Sequence, residues 1–511
     1  MTSIRSRFIF TIGSNVFRGL LSFITGMILA RMLGPESYGS MAFLLGTFMG
    51  VLKLLDMGSS SAFFTFMSQK PRSKRFVRSF FIWLGVQFFI PLCIIWLLFP
   101  TQWIENIWQG EELSLILLAF TAIFMQGTLW SVIQQAGESQ KRTHWVQGAG
   151  AGVALVHLLS VLLLWFLGWL GLYAIFIAIA LEYFLAAIIV HRKFTYSIET
   201  EDSLTANSDE TTFKKYLDYC LPLIPYSWIG FAYIFADRWL LQHYSGSVEQ
   251  AYYAVAAQIA AVALIVTTSI LRIFWKEISE AQNQGNNNRV AQLYKKVSRL
   301  MFLASSIVTG FIIPWSEELL ITILGKFYAE GATTLIIMLI YPVHQSMGQI
   351  GGTMLYATER VSIQSITGII FMIVSMVATY YVLAPNNNII AGLNLGSEGL
   401  ALKMVVMQLI QVNVIAYIIA RIWNWKFDWL YQPLSLLGCT GIGFFVNAIV
   451  TNLFDFLPLF FIICLYGIFY MLLVAAFIYF LPWLTGMTRK EMFLSFTIYY
   501  QKIQKLVSLS K

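Results

Sequence analysis

Residues 16–48 read VFRGLLSFITGMILARMLGPESYGSMAFLLGTF. Two apolar runs flank a sharp break. Gly34 is placed to end the first run as a helix in a left-handed conformation, and Pro35 cannot continue it. Ser37 stands where it can cap the next helix, and Tyr38 stands at the depth where amphipathic rings settle between lipid and water. The spacing therefore predicts a helical hairpin that crosses a bilayer twice. Helices satisfy their own backbone in hydrocarbon, and the periodicity does not fit the strands of a closed barrel.

The same pattern repeats along the chain. Fourteen apolar stretches, the first at 8–30 and the last at 457–481, follow one another with short gaps. Most hold about 20 residues, enough to span ~30 Å of hydrocarbon. With 58% hydrophobic and 11% charged residues, the composition lies far from that of a soluble domain. The expected fold is an all-α polytopic membrane protein with about 14 transmembrane helices.

Charge in the gaps sets the orientation. Lys70, Arg72, Lys74, Arg75 and Arg78 crowd one gap; Lys141, Arg142, Arg192, Lys214, Lys215, Lys295, Lys296 and the tail from Arg489 crowd others on the same side. The opposite side carries Glu105, Glu111, Glu112, Glu317, Glu318 and Glu330. The positive-inside rule puts both termini in the cytoplasm. The net charge of +8 is thus a topological signal and not a nucleic-acid footprint, since no basic patch sits on a folded soluble domain. The first stretch is too long for a signal-peptide core and has no cleavage site after it, so it is expected to be retained. Cys93, Cys220, Cys439 and Cys464 all fall in apolar stretches, where cysteine behaves as a small hydrophobe. No metal site and no cofactor are expected, and no phosphate-loop motif is present.

Residues 192–215 are polar and mixed in charge and suggest a cytoplasmic linker, while 275–298 suggest a short polar helix broken at Gly285. Cutting at the linker exposes a weak internal repeat. Gly127, Ala136 and Glu138 keep the spacing of Gly348, Ala357 and Glu359, and the YGSMA that starts at Tyr38 is similar to the YAVAA that starts at Tyr253. The expected organisation is a six-helix bundle over 1–191, the linker 192–215, a second six-helix bundle over 216–421, and two extra helices with a tail over 422–511. An even number of helices per bundle gives both the same orientation, related by a pseudo-two-fold axis along the membrane normal.

The motif ARMLGPESYG (30–39), followed by a second helix with Asp56 and Gly58, resembles the polysaccharide transporters of the multidrug/oligosaccharidyl-lipid/polysaccharide flippase superfamily, the Wzx-type flippases. The similarity continues with Pro222, the pair Asp237–Arg238, Tyr253 and Ala254, and is sharp over 18–60 and 216–260. It implies a bacterial inner-membrane protein that moves a polyprenyl-pyrophosphate-linked oligosaccharide outward by alternating access. It also implies a polar, often cationic cavity, and a drive from ion gradients or membrane potential in place of ATP. The partners it implies are membrane lipids, a polysaccharide polymerase and a chain-length regulator.

A charge at bilayer depth is costly, so each one is a candidate site. Arg18, ten residues into the first stretch, could bind a pyrophosphate bidentately or pair with an acid of a neighbouring helix. Lys53 and Asp56, at i,i+3, share a helix face, where they would neutralise each other or present a tempered cation to a cavity. His157 and Lys403 are further cavity candidates; the first could equally be an interhelical hydrogen bonder, and the second could snorkel outward or pair with Glu398. Glu182 is the proton-coupling candidate, with a structural pair to a lysine or arginine as the alternative. Arg31, Asp237, Arg238 and Arg272 suit gating or interface anchoring. Amides such as Gln126, Gln134 and Gln135 could line a sugar path or join helices.

These residues suggest a flippase for a surface-polysaccharide repeat unit. A lipid II flippase would use the same cations. A multidrug/cation antiporter would favour an acid in the first helix, and 8–30 contain none. A glycan polymerase or ligase would need a larger outer loop than these gaps supply.

Overall fold

The computed structural model describes residues 4–69, 74–140, 142–192 and 206–491, and all regular structure among them is helical. Eleven helices among the described residues are long and apolar enough to cross a membrane. Those from Phe10–Asp56 and Phe213–Ala263 run 47 and 51 residues. Neither is straight. Gly34 (φ 73°, ψ 170°) and Gly246 (φ 82°, ψ −178°) hold backbone conformations outside the helical region. The chain thus turns inside each of these two elements, and Pro35 directly follows the first turn. Fourteen crossings is a finer statement than these eleven elements make.

The helices in chain order are α1 (Ile4–Asp56), α2 (Ser59–Gln69), α3 (Lys74–Cys93), α4 (Thr101–Trp108), α5 (Leu113–Ile123), α6 (Trp130–Ser139), α7 (Thr143–Phe166), α8 (Leu172–His191), α9 (Ala206–Cys220) and α10 (Ile224–Ala260). They continue as α11 (Leu264–Asn283), α12 (Asn287–Ile312), α13 (Ser316–Leu324), α14 (Ala332–Met338), α15 (Tyr341–Ala357), α16 (Val361–Leu383), α17 (Gly396–Ile422), α18 (Tyr431–Leu453) and α19 (Leu459–Phe480). Residues 193–205 of the expected linker lie outside the described residues, and from Ala206 the chain is already helical. The polar segment 275–298 is not a short helix. It forms the end of α11 and the start of α12, with Gly285 at φ 66° between them and Asn286 Oδ1 capping α12 by accepting from Arg289 N at 3.0 Å.

Two compact units form. The first comprises Met1–Val255, Ile321–Gly331 and Ile369–Leu400. Here α1 packs along α7, α5 packs against α8, and α7 against α8. Stacked rings join α2 to α3, with the Phe63 and Phe80 centroids 3.9 Å apart. Arg31 Nη1 donates to Thr322 O (2.9 Å) and Ile323 O (3.0 Å), the last carbonyls of α13, where a cation opposes the helix dipole. Tyr328 Oη donates to Ala30 O at 2.9 Å beside it.

The second unit comprises Ala256–Leu320, Ala332–Gly368 and Ala401–Lys511, with α12 packed against α11, α15 and α18. The α12–α18 crossing is backbone against backbone: a Cβ on Gly443 would lie 2.2 Å from Gly310 O. Small residues at such a crossing allow the close approach on which packing in lipid depends. Pro314 has no N–H for the carbonyl of Gly310, four residues earlier. Hydroxyls from α19 serve that stretch of α12. Tyr466 Oη donates to Gly310 O (3.4 Å) and Phe311 O (3.0 Å), and Tyr470 Oη donates to Ile307 O (2.8 Å). A carbonyl left without its donor is expensive away from water, which accounts for the fully buried Tyr466 on an otherwise apolar helix, while Tyr470, equally buried, adds a bond to the Ile307 carbonyl.

Candidate functional site

The first unit brings several of the sequence candidates into one neighbourhood. Arg18 projects from α1 and is half-buried. Its Nη2 donates to Asn15 Oδ1 at 3.1 Å. With the Gln134 amide oxygen turned inward, that oxygen accepts from Arg18 Nη1 at 3.0 Å and from Trp130 Nε1 at 3.1 Å. A Cβ on Gly150 of α7 would sit 3.3 Å from Arg18 Nη1, so the guanidinium lies close against that helix. Among the described residues no carboxylate stands within ion-pair distance of Arg18. A guanidinium has five donors, and neutral amide oxygens satisfy only part of them.

The local backbone explains how the partners reach it. Between α5 and α6, residues Phe124–Leu129 form a π turn. Insertions of this kind shift the face on which the following residues project. The turn carries Gln126, whose Nε2 donates to Tyr183 Oη at 3.3 Å. The Tyr183 ring meets Trp130 edge-on, with centroids 6.1 Å apart. Arg18, Gln134, Trp130, Tyr183 and Gln126 are therefore a connected array. Trp130 and Tyr183 were not singled out from the sequence. The available signal was the Gln134–Gln135 pair inside an apolar stretch, which announces buried hydrogen bonding without naming its partner.

His157 and Glu182 meet. His157 Nδ1 and Glu182 Oε2 are 2.8 Å apart, joining α7 to α8. The expected structural partner of Glu182, a lysine or arginine, is replaced by this histidine. A cavity of about 500 Å³ lies beside the pair, lined from α7 by Gly152, Val156 and Ser160 and from α8 by Ala178 and Glu182.

Lys53 and Asp56 do not neutralise each other. Asp56 caps α2: its Oδ1 accepts from Ser60 N (3.0 Å), Ser60 Oγ (2.5 Å) and Ser59 Oγ (3.1 Å), and its Oδ2 from Gly58 N (3.2 Å). Helix amides and hydroxyls already saturate that carboxylate. The Lys53 ammonium lies 5.0 Å from the centroid of the Tyr226 ring. Asp56 is thus a capping residue, and the serines at 59 and 60 were the overlooked sign of it.

The remaining candidates lie elsewhere. Asp237 is buried and accepts from Thr379 Oγ1 at 2.6 Å. Arg238 lies over the Tyr253 ring at 5.0 Å, with Nη1 buried and unpartnered. Arg31 caps α13, as described above. Lys403, in the second unit, is 3% exposed with Nζ 3.6 Å from Met404 Sδ, so it does not snorkel outward. The side chain of Arg272 lies outside the described residues. Among the described residues no cluster of three or more metal-ligating side chains occurs.

Against known proteins, the profile of the family described as polysaccharide biosynthesis protein matches residues 4–275. No curated protein matches the chain. Among solved structures, the lipid II flippase MurJ in its inward closed conformation superposes with a TM-score of 0.68 at 14% identity, covering 93% of this chain and 99% of that one. An inward-facing multidrug resistance transporter of the MATE family, of the MOP superfamily, gives 0.59 at 16% identity over 79% and 94%. A MOP superfamily transporter from Pyrococcus furiosus, described as having a binding pocket of reverse polarity, gives 0.50 at 15% over 81% and 94%. At these identities the likeness is one of fold: a multi-pass helical membrane protein of the MurJ and MATE type.

Proposed function

The chain belongs to the polysaccharide biosynthesis protein family, and from that membership we propose that it flips a polyprenyl-pyrophosphate-linked oligosaccharide, a surface-polysaccharide repeat unit, from the inner to the outer leaflet of a bacterial inner membrane. The observation that carries the reading is Arg18. It is a permanent charge in the first membrane helix, held by amide oxygens and not by a carboxylate. An ion pair would oblige an incoming anion to displace a carboxylate. Amides leave the guanidinium positioned and its charge unspent, and charge-assisted bonds to a pyrophosphate are roughly twice as strong as neutral ones. Arg18 holds the pyrophosphate, the array of Gln134, Trp130, Tyr183 and Gln126 offers amides and ring faces to sugar, and the polyprenyl chain stays in lipid.

Alternating access is the proposed mechanism, with the bundles 1–191 and 216–421 opening in turn to either side and both termini in the cytoplasm. A polymerase and a chain-length regulator would take over the flipped unit. The fold likeness to a lipid II flippase favours a second reading, in which the same cation holds the same pyrophosphate and only the glycan differs. An antiporter reading lacks the acid it would want in the first helix.

Mass spectrometry of polyprenyl-linked glycans after depletion tests both. A repeat unit accumulating on the inner leaflet, shielded from an impermeant sugar-modifying reagent, is the expected result. Trapped lipid II would indicate the second reading, and an unchanged lipid pool would overturn both.

A further inference from the structure

The pyrophosphate reading has no use for the contact between α7 and α8. We propose that His157 and Glu182 form one proton-binding site within the membrane, and that loading and unloading this site couples transport to the proton gradient. The site itself rests on geometry alone; only what the proton drives rests on the flippase reading. The ring nitrogen and the carboxylate oxygen are 2.8 Å apart, and the two side chains are 14% and 9% exposed. Glu182 Oε1 is buried with no partner. The carboxyl group also lines the cavity of about 500 Å³, whose lining is otherwise mostly apolar, with Ser160 as a second polar group. A proton thus has an acceptor pair that borders a cavity.

The protons balance simply. With one proton on Nε2 and the other on Glu182 Oε2, donated to Nδ1, the pair has no net charge and the carboxyl group is a neutral acid. Releasing one leaves a neutral imidazole donating Nδ1–H to a carboxylate, with a net charge of minus one. Helix α1 carries Arg31, Glu36, Tyr38, Lys53 and Asp56 besides Arg18, and it is Arg18 that shares Tyr183 with Glu182, the ring lying within electrostatic range of both. Helix α6 supplies Glu138, whose Oε1 accepts from Gln147 Nε2 at 2.7 Å. On α7 and α8 themselves, His144 and His191 stand toward the ends, with Tyr173 at the far end of α8. Helix α5 and the π turn supply none. No lysine or arginine of the described residues forms an ion pair with Glu182.

A purely structural clamp would make the same contact, and Glu182→Gln separates the two. The amide keeps the shape and can still accept from Nδ1–H, but it cannot take up a proton. The first measurement is an infrared difference spectrum between alkaline and acid pH on the purified full chain in lipid nanodiscs. It is expected to contain a buried-carboxyl C=O band that is absent in Glu182→Gln, shifted in His157→Asn and retained in Glu138→Gln. A spectrum of Glu182→Gln identical to wild type overturns the site while leaving the flippase reading intact. The second measurement is flipping of the accumulated lipid-linked oligosaccharide in proteoliposomes under an imposed pH gradient. A one-proton step biases the leaflet distribution by on the order of tenfold per pH unit, and Glu182→Gln is expected to lose that dependence. Wild-type flipping that ignores the gradient overturns the coupling. Wild-type protein that flips no oligosaccharide under any condition sinks the flippase reading instead, with the spectroscopic result still standing.

Discussion

Arg18 remains charged at any pH a cell meets, so its neighbours decide what it does. If amides are chosen to leave its charge available, Gln134→Glu should place a carboxylate on it and occupy it. Surface polymer is then expected to fall to background while the folded protein is no less abundant. Gln134→Leu removes one bond to a charged group, worth about 1.5–3 kcal/mol, and should lower polymer output by roughly tenfold or more at equal expression. Arg18→Ala should abolish output and Arg18→Lys restore only part of it, because the fork is lost. Normal output from either Arg18→Ala or Gln134→Glu would remove the residue from the site. The sequence announced Arg18, His157 and Glu182 one at a time, since each is conspicuous in an apolar run. It did not disclose that the last two meet, because residues 25 positions apart on different helices become partners only through the packing of α7 on α8. Asp56 misled for the opposite reason: its three-residue spacing from Lys53 suggested a pair, whereas local capping amides and hydroxyls were closer and more numerous.

Breaks inside helices were legible where a residue type forces them. Gly34–Pro35 signals its turn twice over, by glycine and by proline. Gly246 sits in Ser-Gly-Ser, with no proline beside it, so its turn is signalled only by small polar residues. The π turn at 124–129 (FMQGTL) carries no comparable signature, since neither its one glycine nor Gln126 and Thr128 forces an insertion. Gly34 and Gly246 occupy a region of φ and ψ that is essentially closed to residues with a Cβ, so Gly34→Ala and Gly246→Ala should each cost about 1–3 kcal/mol. Gly441→Ala is the control: it is helical with open space around it and should be neutral or mildly stabilising. Thermal unfolding in detergent measures all three, and equal midpoints would refute the strain argument. On α12, Tyr466→Phe should cost about 0.5–1.5 kcal/mol in the native chain. Less of that cost is expected once Pro314→Ala supplies an N–H to Gly310 O. A double-mutant cycle showing no coupling would mean that the hydroxyl does not replace the missing donor.

At the scale of the whole molecule, the alternation of apolar stretches and basic gaps conveyed the helical class and the membrane. The compact units, which divide α10 after Val255, were not written in that alternation, because linear order says nothing about which helix ends pack together. Orientation can be tested directly. With Cys93, Cys220, Cys439 and Cys464 replaced, a single cysteine at Glu112 should react with an impermeant thiol reagent in intact cells. One at Arg489 should react only after permeabilisation, and the reverse pattern would invert the proposed topology. The two turning glycines also carry a consequence at the level of the gene. Every single-base change in a glycine codon that alters the residue but still encodes one adds a Cβ. Neither turn therefore has a neighbouring missense variant that leaves its backbone unstrained, and in a saturating mutant library these two codons should be depleted however conservative the replacement looks.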